Sequence, residues 1–161
     1  MAFTKIKTMK KLLVILLLFT STIAFGQEKA KWYIDFEKAA QVSMQTGKPI
    51  LADFTGSDWC GWCKKLKKEV FITPQFKDWA DQNVVLLELD YPRKKQQDEK
   101  IKKQNRELQQ IFQVRGYPTI HIFNVKVNTD NQLEFLPVGQ TGYVAGGPTP
   151  WINNANSILK K

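Results

Sequence analysis

Three short runs, residues 49–54 (PILADF), 83–90 (NVVLLELD) and 118–124 (PTIHIFN), are dominated by apolar and β-branched side chains. The first two are too short for helices and too continuous for half-exposed strands, so they predict strands covered on both faces, and the third predicts a further strand. A fourth strand is predicted over 133–138, and the polar stretch at 128–131 just before it signals a hairpin. Between these runs the apolar positions follow a helical period. Residues 35–45 place Phe36, Ala39, Ala40 and the stretch Val42 to Met44 inward, and Gly47 followed by Lys48-Pro49 ends that helix. A helix over 60–70 starts at a cysteine. Thr73 followed by Pro74 is an N-cap with proline at the first helical position, opening a short helix through Trp79. Ile101, Leu108, Ile111 and Phe112 give helical spacing to a charged segment over 93–112, and Thr149-Pro150 repeats the cap-and-proline device before a last helix to Leu159. Strands alternating with helices early and a hairpin late predict one α/β domain with a central mixed sheet flanked by helices.

Residues 1–26 follow a different pattern. Lys5, Lys7, Lys10 and Lys11 precede the apolar run 12–19, and Ala24-Phe25-Gly26 supplies small residues for cleavage before Gln27. The apolar stretch falls short of the ~20 residues that span a bilayer. The expectation is a cleaved signal peptide over 1–26, a domain over 27–161, and a periplasmic or secreted location. No cysteine sits at the cleavage point, so a lipid anchor is not supported. Those four lysines are the only charged residues of the segment, so its removal lowers the formal charge from +9 to +5. A mildly basic exported domain without a basic stripe interleaved with aromatics is not expected to bind nucleic acid. The densest charge run, 93–107, carries seven basic and three acidic residues and reads as a solvated helix face.

The only two cysteines, Cys60 and Cys63, are two residues apart and flanked by tryptophans in the stretch DWCGWCKK at 58–65. As a staple the pair closes too small a loop to matter, about 2 kcal/mol against ~4.7 for a loop of 100 residues. A zinc site needs four ligands, and the chain offers no second pair and one histidine, His121. Copper(I) needs only two thiolates, so a copper-carrying module stays open. So does a silent interaction domain with a permanent disulfide. A redox couple needs its first cysteine exposed at a helix N-terminus, where unpaired amides stabilise a thiolate, and the second three positions on, deeper on the same face. Strand 49–54, a loop and a helix starting at Cys60 would deliver that geometry. Cys60 would then attack and Cys63 resolve.

The segment LADFTGSDWCGWCKK at 51–65, followed about 55 positions later by RGYPT at 115–119, resembles the thioredoxin superfamily, in particular exported bacterial members with a Cys-Gly-Trp-Cys centre. The likeness covers nearly the whole segment after residue 26. It implies a thioredoxin-like three-layer sandwich with Pro118 cis against the disulfide and the Tyr117 backbone offered to substrate. It also implies that Asp53, a costly carboxylate in an apolar strand, accepts the proton of Cys63, although one extra residue separates Asp53 from Cys60. The lysine that the family places on the adjacent strand has no counterpart in the run 84–87. Gly142 fits the glycine that faces the centre from a late loop. Trp62 is expected to meet a docking partner, and Trp59 to line the same surface or pack as a lid. His121 is given no role, and Lys64 and Lys65 read as solvated. The expected activity is thiol-disulfide exchange without cofactor or metal, reductive in direction. Protein disulfides would be the substrates, a membrane-embedded or other thiol protein the electron donor, and the acting unit a monomer.

Overall fold

The computed structural model describes residues 29–160. The expected signal peptide lies outside the described residues, as do positions 27, 28 and 161 of the expected domain.

Among the described residues, five strands form one sheet: β1 (Trp32–Tyr33), β2 (Ile50–Thr55), β3 (Val85–Asp90), β4 (Thr119–Val127) and β5 (Leu133–Thr141). Their order across the sheet is β1-β3-β2-β4-β5. β1, β3 and β2 run parallel, whereas β4 and β5 are added antiparallel, so the sheet is mixed. Five helices cover it: α1 (Phe36–Thr46), α2 (Gly61–Leu66), α3 (Pro74–Asn83), α4 (Glu99–Ile111) and α5 (Pro148–Leu159). This is the thioredoxin-like α/β sandwich of three layers.

Local chemistry sets the helix ends. The Asp35 carboxylate accepts the Lys38 N–H at α1, and Gly47, at φ 70°, closes that helix by donating its N–H to Ser43 O at 2.8 Å. That left-handed φ is where glycine has no Cβ to penalise. Thr73 Oγ1 accepts the Phe76 N–H at 3.2 Å with Pro74 in the first turn of α3.

β2 is buried along its whole length, and its alternation splits two cores. Ile50, Ala52 and Phe54 face α1 and α4 together with Val85, Leu87 and Leu89 of β3. Leu51 and Leu86 face the other way, into a core built with α2, α3 and α5 around the fully buried Trp151. Side chains alternate along a strand, so Asp53 and Glu88 share the face of Leu51 and Leu86, under the helix that carries Cys63.

Several elements differ from the sequence reading. β1 was not expected, because two residues are too few to show a period. The helix expected over 60–70 changes at Leu66 into a π-helical turn, Lys67–Phe71. α3 runs on to Asn83, since its buried Trp79 and Ala80 continue the apolar face. β4 and β5 extend further, pairing from Ile120↔Thr141 to Val127↔Leu133 around a bulge at Ile122/Phe123. Thr149 does not cap α5. The helix begins at Pro148 after Gly147, and the Thr149 hydroxyl bonds Gln75 on α3 instead. Among the described residues no helix is long and apolar enough to cross a membrane.

Candidate active site

Cys60 is the N-cap of α2, with extended backbone (φ −78°, ψ 109°), and Cys63 lies in the first turn of the helix. The two are disulfide-bonded with Cα atoms 5.3 Å apart. The Cys60 sulfur accepts the Cys63 N–H at 3.2 Å, so a helix-terminal amide already points at the atom that would carry thiolate charge. Both cysteines are 5% exposed. The expected contrast between an exposed first sulfur and a buried second one is therefore missing in this oxidised form, where the bond holds the Cys60 sulfur against its inward-facing partner.

The loop before Cys60 is tied down by acids. Ser57 donates its N–H and hydroxyl to the Asp90 carboxylate at 2.8 and 2.6 Å. Asp58 accepts the backbone N–H groups of Arg93, Lys94 and Lys95, the shortest at 2.7 Å. Trp59 donates its indole N–H to Tyr91 O at 2.7 Å, meets Tyr117 edge-on, and lies under the Arg93 guanidinium at 3.7 Å from its ring centre. Its indole passes so close to Gly56 that a Cβ there would meet it at 2.5 Å. Trp59 thus braces the loop on one side of the disulfide.

Trp62 behaves differently. It stands 58% exposed between the cysteines, its ring 5.2 Å from Tyr143, with the Lys65 ammonium 5.1 Å from each ring centre. Tyr143 is anchored by its hydroxyl, which donates to Glu69 on the π turn at 2.6 Å. The Tyr117–Pro118 peptide bond is cis. Gly142 lies against it: a Cβ at Gly142 would sit 3.5 Å from Pro118 O, while Gly142 O accepts the Trp151 indole N–H at 3.0 Å. The structure therefore gathers Pro118, Gly142, Tyr143 and Trp62 from three separate chain segments.

Asp53 is buried, and its Oδ1 has no hydrogen-bond partner. Burial, reinforced by Glu88, pushes its pKa up to about 8; Lys67 opposes the rise and Asp90 adds to it. The register places Asp53 opposite Glu88 on β3. Lys67, at the start of the π turn, reaches Glu88 at 3.2 Å. The strand neighbour of the buried acid is thus a second acid, and the lysine arrives from the helix layer. Sequence reasoning missed Lys67, Glu88 and Tyr143. A signal for Glu88 was present: a carboxylate in an otherwise apolar strand, the same anomaly that singled out Asp53. His121 sits edge-on to Phe54 and beside Phe112, where burial lowers its pKa. Among the described residues no group of three or more His, Cys, Asp or Glu could hold a metal ion.

This sheet order, with a cysteine pair at the start of the helix that follows β2, defines a thioredoxin-like protein. The profile of the family described as Thioredoxin-like matches residues 31–124, and the chain belongs to that family. It is 33% identical over 125 residues to the disulfide bond reductase DsbH of Chlamydia pneumoniae, covering 78% of this chain and 70% of that protein. The thioredoxin-related protein DsbJ of the same organism is 29% identical over 134 residues, 81% of this chain but only 37% of that longer protein. Among solved structures, a DsbH oxidoreductase superposes with a TM-score of 0.72 at 28% identity, covering 88% of this chain and 92% of the other. A thioredoxin from Thermus thermophilus shares the fold at a TM-score of 0.57 and 14% identity, covering 82% and 88%.

Proposed function

We propose that the protein is a thiol-disulfide oxidoreductase of the cell envelope that reduces disulfides in client proteins through Cys60 and Cys63. The observation that carries this reading is the bonded cysteine pair with Cys60 as N-cap and the Cys63 amide directed at its sulfur. The likeness to a protein named a disulfide bond reductase supports the reductive direction. Envelope location is supported by the signal-like residues 1–26.

In the reduced protein the Cys60 thiolate attacks one sulfur of a client disulfide, forming a mixed disulfide and releasing one client thiolate. Cys63 gives up its proton to the Asp53 carboxylate and attacks the Cys60 sulfur. The Cys60–Cys63 bond forms, the second client sulfur leaves as thiolate, and two electrons have passed to the client. A dithiol electron donor, membrane-embedded or soluble, then reverses the exchange, and protonated Asp53 returns its proton to the departing Cys63 thiolate. Pro118, Gly142, Trp62 and Tyr143 form the surface that a client chain meets, the exposed Trp62 ring supplying apolar contact. Trp59 and Tyr117 brace that surface from behind. The acting unit in this reading is a monomer.

Insulin precipitation driven by dithiothreitol tests the activity. The protein is expected to accelerate it by at least about tenfold over dithiothreitol alone, as a low-pKa dithiol relay should. No acceleration, with both thiols instead protected from alkylation by copper(I), would replace this reading with metal carriage.

A further inference from the structure

The charged run 93–107 is more than a solvated helix face. Its first residues leave the helix and form the loop after β3, and with α4 they enclose an open cleft of about 640 Å³ lined by Arg93, Lys95, Lys102 and Arg106 against one acid, Glu99. Three cations of the run are matched by acids, Lys100 with Glu37 at 3.3 Å, Lys103 with Glu107 at 3.8 Å and, within the cleft, Lys102 with Glu99 at 3.2 Å. Arg93, Lys95 and Arg106 make no ion pair among the described residues. The Lys95 ammonium has a long contact, 3.4 Å, to the Ser57 hydroxyl and lies near enough to the Asp58 carboxylate to help lower its pKa. The nearby Asp58 carboxylate is turned to the loop's backbone amides. The cleft therefore keeps a surplus of positive charge.

Its position relative to the disulfide is fixed. Arg93 lies on Trp59, the residue before Cys60, and Trp59 is bonded to Tyr91, another wall of the cleft. The cleft therefore begins beside the residue that precedes Cys60. On the other side of the disulfide the surface is aromatic, with Trp62 and Tyr143 sharing Lys65. Guanidinium forks such as Arg93 and Arg106 match the planar geometry of carboxylates. We infer that this cleft binds carboxylate side chains, and that its occupant is an acidic segment of the client protein flanking the disulfide under attack. The identity of the occupant rests on the reductase reading; the carboxylate site does not.

The test uses the purified oxidised protein and a fluorescein-labelled peptide rich in Glu and free of cysteine, read by fluorescence polarisation at low salt, so that binding is independent of redox activity. The acidic peptide should bind at least about tenfold more tightly than a Gln-containing counterpart, with the difference shrinking as salt rises. Lys95→Glu with Arg106→Glu should bring the two peptides to equal affinity, and the milder Arg106→Gln should remove part of the preference. Equal binding of both peptides to the unaltered protein would overturn the site. So would a preference untouched by these substitutions, which would place the acidic contact elsewhere. Glutathione disulfide or free glutamate competing as well as the acidic peptide, mole for mole, would overturn the client-segment assignment in favour of a small free anion. Acidic-peptide binding that survives in a protein unable to reduce insulin would support the cleft while removing the reductase reading.

Discussion

Cys63→Ser should accumulate mixed disulfides between Cys60 and client proteins, visible as adducts that vanish on reduction, whereas Cys60→Ser should form almost none. Both variants should lose insulin reduction down to the uncatalysed background, because each removes one half of a two-step exchange. The asymmetry follows from position. Cys60 is the N-cap and receives the Cys63 amide, while Cys63 lies inside the helix above the face that carries Asp53. Equal trapping by the two variants would refute the division between attacking and resolving sulfur. Since both cysteines are equally covered in the oxidised form, that division rests on helix position rather than on exposure.

Asp53→Asn is expected to stabilise the oxidised protein and to slow it. With a pKa of about 8 in the fold against a model-compound value of 3.8, Asp53 holds its proton in the native state over a range where the unfolded chain has lost it. Below about pH 4 both states are protonated and the group adds no pH-dependent cost; from there to about pH 8 stability falls as pH rises, and beyond pH 8 that loss is constant. Asparagine does not titrate, so the variant should gain over the parent across that window. The ceiling of the gain is on the order of 5 kcal/mol, at 1.36 kcal/mol for each unit of pKa. Denaturant titrations at pH 4, 6 and 8 would measure it; a stability difference that does not change with pH would contradict the protonation assigned to Asp53. In kinetics, resolution of the mixed disulfide should accelerate with pH up to about 8 in the parent, where the carboxylate becomes available. In the variant it should be slower by roughly ten- to a hundredfold, the scale of general base catalysis, while the first attack by Cys60 changes little. Burial sets most of where that profile lies, and Glu88 and Lys67 tune it in opposite directions from the neighbouring strand and the π turn, with Asp90 further along β3.

What was legible in the sequence and what was not divides along physical lines. Continuous apolar runs marked β2 and β3 because strands largely buried on both faces keep few polar positions, and β4 was marked by its β-branched run although it is only partly covered. Capping chemistry marked the end of α1 and the start of α3 because both bonds are local, one from the left-handed Gly47 backbone and one to the Thr73 hydroxyl. The π turn at Lys67–Phe71 was invisible, since one register change in a helix alters no hydrophobic period. β1 is too short to carry a pattern, and its existence depends on pairing with Leu86 and Leu87 far along the chain. Asp53 stood out as a carboxylate in an apolar strand, and the absence of a lysine on the adjacent strand was legible, but register, not composition, places Glu88 opposite it. Pairing of Trp62 with Tyr143 and of Arg93 with Trp59 joins residues separated by a large part of the chain, and no local signal announces such contacts.

The direction of electron flow is the central claim, and the reduction potential of the Cys60/Cys63 couple tests it most directly. No histidine lies between the cysteines. Lys64 is engaged with Asp58 O at 2.9 Å, and Lys65 sits over Trp62 and Tyr143. Stabilisation of the Cys60 thiolate is therefore left largely to the helix amide, and a thiolate that is less stabilised gives a less oxidising couple. Equilibration with dithiothreitol redox buffers, followed by quantifying the free thiols, should return a potential of roughly −220 to −270 mV, in the range of reductants of this fold. A value above about −150 mV would contradict the account and make the protein a donor of disulfides.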